Sequence, residues 1–138
     1  MSTDGKALLH RWFEEVWNNG RSDLIDELMA PNCVIHGLGP GPMGPADFKS
    51  FYEAYRGAFP DVRIHIDQAV AEGDLVAVHW SGTGTHRGST LGFPATDKRV
   101  RFNGMTMGRV ANNQLVEGWN SFDQLGMLQQ LGVVTMPS

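Results

Sequence analysis

Leu115 to Gly132 reads LVEGWNSFDQLGMLQQLG, and its first half alternates as a strand does, with neither face plainly wet. Strand side chains point to opposite sides in turn, so Val116, Gly118, Asn120 and Phe122 are expected on one face, and Leu115, Glu117, Trp119 and Ser121 on the other. A strand with apolar side chains on both faces is usually covered on both, by helices on one side and, for instance, a second subunit on the other. Asn120 then stands on an enclosed wall. A buried amide needs hydrogen-bond partners, and a wall that borders a cavity finds them in a ligand.

Upstream of this strand the same alternation extends back to Val62. VRIHIDQAVAEGD predicts a strand ending in the turn Glu72 to Asp74, LVAVHWSGTGTH a strand from Leu75 to His86, and RVRFNGMTMGRV a third that turns at Ala111 to Asn113. The longer connection RGSTLGFPATDK lies between the last two. Before Val62 the period is helical. Ser2 or Thr3 is placed to cap a helix carrying Leu9, Trp12, Phe13, Val16 and Trp17, which stops at Asn18, Asn19 and Gly20. SDLIDELMA, from Ser22, predicts a shorter helix ended by Pro31, and a brief strand follows from Cys33 to His36. Pro45 fits the first position of a helix running to about Phe59, with Phe48, Phe51, Tyr52 and Tyr55 on its inner side. Helices first and a mostly antiparallel sheet last is an α+β order.

Glycines within the strands refine that reading. Val76, Val78, Trp80, Gly82 and Gly84 share one face, as do Val100, Phe102, Gly104, Thr106, Gly108 and Val110 on the next strand. Such glycines let a sheet bend sharply or leave room where side chains would fill space. A strongly curved sheet roofed by aromatic helices is a cone around an apolar pocket. If the glycine face is concave, Met105, Met107 and Trp119 are left outside, and a patch of that kind predicts a homodimer built on the outer face of the sheet.

Composition excludes several functions. The chain has 138 residues, enough for one core and one domain over 1–138. Its net charge is −4 and its densest basic run is Lys98, Arg99 and Arg101, so nucleic acid is not an expected partner. Cys33, the single cysteine, permits no internal disulfide, which fits a reducing cytoplasm. MSTDGKALLHRWFEE carries acids and no long apolar run, so no signal peptide or membrane span is expected there. GLGPGPMGP contains a G-x-G-x-x-G match at Gly39, Gly41 and Gly44, but Pro40 and Pro42 delete amides that a phosphate cradle needs and no βαβ unit follows.

Three motifs, AFPDVRI at Ala58 to Ile64, GTHRGSTLGFPATDKRV at Gly84 to Val100 and EGWNSFDQLGMLQQLG at Glu117 to Gly132, make the chain resemble the SnoaL-like polyketide cyclase and ester cyclase branch of the nuclear transport factor 2-like fold. With the leading helix they span nearly the whole chain. The resemblance implies a cone-shaped α+β barrel, no cofactor, and ring closure of a hydrophobic carbonyl compound by intramolecular aldol chemistry. In such cyclases an aspartate moves the proton and a histidine assists; by position these fall on Asn120 and Thr106. Asn has no titratable group and cannot be a base, though its amide can donate to a developing enolate. A tyrosine and an asparagine that line the cyclase pocket fall on Trp17 and Phe51.

The candidate residues follow from these positions. Trp17, Phe48, Phe51, Trp80, Phe102, Thr106 and Phe122 are expected to line the pocket, with Asn120 as a hydrogen-bonding member. His36 ends the first strand beside the glycine loop, and a ring among apolar neighbours there would accept a proton near neutral pH; a structural role is the alternative. Asp123 stands between strand and helix, where it either caps the helix or, as the alternative to His36, moves protons. His79 and His86 differ in strand parity, and His65 and Asp67 share a face without further ligands, so no metal site is legible. Three functions stay open: a cofactor-free cyclase, isomerase or hydratase acting on a hydrophobic carbonyl compound, a small-molecule binding protein, or a structural dimerising domain with a filled interior.

Overall fold

A computed structural model describes residues 5–135. Along these the chain forms α1 (Gly5–Arg11) continuing as a π-helical segment (Trp12–Asn18), a 3-10 turn (Ser22–Leu24) into α2 (Ile25–Leu28), β1 (Met29–His36), α3 (Pro45–Ala58), β2 (Arg63–Glu72), β3 (Leu75–Thr85), β4 (Arg99–Ala111), β5 (Gln114–Phe122) and α4 (Gln124–Leu131). Ser2 and Thr3, expected as caps, lie outside the described residues. The strands make one curved, unclosed sheet in the order β1-β5-β4-β3-β2, an α+β fold as expected. β1 pairs with β5 in parallel, and the other neighbours are antiparallel. Among the described residues no helix is long and apolar enough to cross a membrane.

Hairpin chemistry sets the antiparallel register. Asn112 and Asn113 adopt φ of 54° and 63° between the paired Ala111 and Gln114, a two-residue turn whose left-handed backbone asparagine tolerates. Thr106 therefore lies directly opposite Asn120, and Gly104 opposite Phe122. At Gly104 an added Cβ would stand 2.5 Å from the Trp80 ring and 2.8 Å from the Phe122 Cβ. Its missing side chain lets the indole lie across β4.

Three expectations are corrected here. Leu115 shares the concave face with Gly118 and Asn120, because a bulge at Val116 lets Val110 pair with Leu115 while Arg109 pairs with Glu117. From Trp12 onward the first helix is not α-helical: the Asn19 N–H donates to the Glu14 carbonyl, an i to i+5 bond. That wider turn puts Trp12 and Trp17, five apart, against the same cavity. The second helix ends at Leu28 rather than at Pro31. Pro31 lies inside β1, tolerated because β1 is an edge strand with irregular pairing between Met29 and Val34.

The helical elements close the concave side. Trp12 packs on Phe48 with centroids 5.2 Å apart, and the Tyr52 hydroxyl donates to the Val16 carbonyl at 2.7 Å, fastening α3 to the π-helical segment. Asn18 pins the end of that segment to β2: its Nδ2 donates to the Ile64 carbonyl at 2.8 Å and its Oδ1 accepts the Ile64 N–H at 2.6 Å. On the outer side Met105 is 55% and Met107 38% exposed.

Candidate functional site

Between the helices and the sheet lies a cavity of about 80 Å³, several times the roughly 10–15 Å³ that one water needs. Its wall is mostly aromatic. Trp17, Phe48, Phe51, Trp80, Phe102, Thr106 and Phe122 all line it, together with Asn120. Trp12, Phe13, Tyr55, Phe59 and Leu115 join them. Tyr55 was legible only as a member of an inner helix face. Tyr52, three residues earlier on that face, turns into the core, and nothing in the sequence separates the two.

One polar chain crosses this wall. The Trp80 indole N–H donates to Thr106 Oγ1 at 3.1 Å, the Thr106 hydroxyl donates to Asn120 Oδ1 at 2.8 Å, and Asn120 Nδ2 donates to the His36 carbonyl at 3.2 Å. Directions are set by chemistry: an indole can only donate, so the single hydroxyl hydrogen passes on to an amide oxygen, and the amide nitrogen is left to face a carbonyl. Among the described residues, one hydrogen of the Asn120 amide has no partner. Asn120 is thus anchored at both ends and keeps a donor at the cavity.

His36 is placed elsewhere than expected. Ile35 is the β1 residue that faces the cavity, so alternation turns Val34 and His36 outward. The His36 ring stacks on Trp119 at 5.7 Å, and its Nε2 lies 2.8 Å from Glu117 Oε2. Arg109 covers the Trp119 ring at 5.9 Å and is itself paired to Asp74 at 2.9 Å. The chain beyond His36 returns across β1, since Ile35 and Met43 exchange backbone bonds at 2.8 Å, and Gly37, with φ of 90°, abuts the Asn120 carbonyl.

Asp123 caps α4, accepting the Gly126 N–H at 2.9 Å, and its side chain does not reach the cavity. Tyr55 is the only titratable side chain in the wall among the described residues. Burial pushes its phenol above the ordinary value, and a hydrogen bond from Gln124 lowers it in part. His79 is exposed and His86 fully buried, so the two do not meet. His65 Nδ1 sits 2.8 Å from Asp67 Oδ1. No three His, Cys, Asp or Glu side chains gather within metal-binding reach among the described residues.

A helix-roofed, curved sheet around an apolar cavity with one polar wall defines a cone-shaped pocket fold. The chain belongs to the SnoaL-like polyketide cyclase family, whose model matches residues 7–131. It is similar to the solved structure of IdmH from Streptomyces antibioticus, a candidate polyketide cyclase, at 28% identity over 95% of this chain and 100% of that one, with a TM-score of 0.83. A candidate polyketide cyclase from Acidithiobacillus ferrooxidans is 32% identical over 98% of this chain and 99% of that one, with a TM-score of 0.79. AclR from Streptomyces galilaeus, a candidate hydroxylase, is 26% identical over 96% and 87%, with a TM-score of 0.86. No curated protein matches the chain.

Proposed function

We propose that this chain binds a small, flat, hydrophobic carbonyl compound of polyketide-like character and polarises its oxygen through the Asn120 amide. The observation that carries this reading is an aromatic wall interrupted by one anchored amide with a hydrogen to spare. A half-buried donor at an apolar wall is poorly served by water, so the group favours a ligand that brings an acceptor. Membership of a cyclase family supports a carbonyl ligand.

The same geometry bears on the enzyme reading. Among the described residues the wall carries no carboxylate and no imidazole, and Asn120 cannot take a proton. Cofactor-free cyclisation or isomerisation would have its oxygen-polarising half supplied by Asn120. Its base would come from outside the wall, because His36 faces Glu117 and Asp123 is engaged in its cap. Binding with polarisation is the reading adopted. A purely structural role has less to support it, since it required a filled interior.

The expected homodimer is retained as part of this proposal. Met105 and Met107 are exposed on the outer face, beside the outward Trp119, where a second copy would cover them. A reducing cytoplasm is retained too, on the single cysteine of the sequence.

Titrating 1-tetralone against the protein's tryptophan fluorescence tests the central reading. Saturable one-to-one quenching is expected, weakened roughly 3- to 10-fold by Asn120→Ala, the worth of one hydrogen bond. Absence of saturation overturns it.

A further inference from the structure

The geometry points to Tyr55 as a second polar anchor of the cavity, a positioning residue that gives its phenol hydrogen to a second acceptor oxygen on the ligand. This rests on the reading of the cavity as a carbonyl-binding pocket and deepens it. Tyr55 comes from α3, the element facing the β5 wall that carries Asn120: its ring meets Phe122 edge-on at 6.0 Å and lies 4.6 Å from Phe51. A ligand held between α3 and β5 is therefore gripped from both sides.

The hydroxyl is arranged to donate. Gln124 Nε2, from the first position of α4, donates to the Tyr55 oxygen at 3.3 Å, and no protein acceptor takes the phenol hydrogen among the described residues. An amide N–H on one side of the oxygen leaves the O–H to turn elsewhere. Tyr55 lines the cavity and its hydroxyl meets Gln124 on the exposed side, so an acceptor at the cavity mouth can receive that hydrogen. The burial that raises the phenol's pKa keeps it in its neutral, donating form. Asp123 contributes indirectly, since its cap on Gly126 fixes the helix start that presents Gln124.

Matched ligands separate this inference from the reading beneath it. Binding of 1-tetralone and of its 5-, 6- and 7-methoxy derivatives would be measured with the parent protein, Tyr55→Phe and Gln124→Leu, each verified as folded by its unfolding curve. At least one methoxy isomer is expected to bind the parent about 3- to 10-fold more tightly than 1-tetralone. That gain, read for each protein against its own affinity for 1-tetralone, should vanish in Tyr55→Phe and shrink in Gln124→Leu. If 1-tetralone binds in an Asn120-dependent way but no isomer gains, or the gain survives in Tyr55→Phe, the Tyr55 inference falls alone. If 1-tetralone does not bind, both fall.

Discussion

The Thr106 hydroxyl lies 2.8 Å from Asn120 Oδ1 and donates to it, across the directly paired positions of β4 and β5. By resemblance these positions hold a histidine and an aspartate in the cyclases, and in this chain they satisfy one another. With a donor indole behind Thr106 and the His36 carbonyl beyond Asn120, position 120 has to accept on one side and donate on the other. Asparagine does both.

Asn120→Asp tests that logic. A carboxylate would accept from Thr106 and set its other oxygen against the His36 carbonyl, a pairing only the protonated acid makes well. The acid's pKa should therefore be raised in the folded state, so that its ionised form destabilises above that value and the penalty fades as pH falls through it. Urea unfolding should show the variant about 1–3 kcal/mol less stable than the parent at neutral pH, with the gap narrowing towards about pH 4. A variant equal to the parent at neutral pH contradicts the hydrogen-bond directions.

Thr106→Val removes the middle of the chain while keeping its shape. It leaves the Trp80 N–H and Asn120 Oδ1 without their partner, and a loss of about 1–3 kcal/mol is expected. In a cycle with Asn120→Ala the two losses should fall short of adding, by about 0.5 kcal/mol or more. Simple additivity would show the contact to be energetically idle.

Gly37→Ala probes the link between the β1 exit and the site. Gly37 has φ of 90°, and a Cβ there would collide with the Asn120 carbonyl oxygen. The variant should lose about 1–3 kcal/mol from backbone strain and displacement. It should also bind 1-tetralone more weakly, though residue 37 does not line the cavity. Unchanged binding would uncouple the loop from the amide.

The sequence made part of this site legible. Alternation along β4 and β5 put Thr106, Asn120 and Phe122 together, because a period of two leaves one choice once a face is known. Leu115 escaped the rule because a single bulge at Val116 reverses parity, and nothing local marks a bulge there. His36 was misplaced for a similar reason: the phase of a short edge strand is set by its pairing with β5, which no residue of β1 announces. Trp12 and Trp17 stand five apart, a spacing that the π-helical segment, unlike an α-helix, aims at one cavity.

Acid should loosen the turn that carries two members of the wall. Asp61 accepts from the Thr85 N–H at 2.7 Å and from the Thr85 hydroxyl at 2.8 Å, holding Phe59 and Val62 in place. Partial burial pushes this carboxyl up, but the Thr85 bonds outweigh it and Arg87 assists, so it is held below the ordinary carboxylate value. A depressed folded-state pKa gives stability that is present above the unfolded value and lost as pH falls through the folded one. Asp61→Asn should therefore be less stable than the parent at about pH 7, with the difference closing below about pH 3. A constant difference across that range contradicts the assignment.

The carbonyl stretching frequency of 1-tetralone bound to the protein tests most directly whether Asn120 polarises a ligand oxygen. The account predicts a band shifted to lower frequency than in an alkane solvent, and a shift that diminishes in Asn120→Ala with the ligand still bound. A bound ligand whose carbonyl band matches the alkane solution, or is unmoved by Asn120→Ala, would contradict it.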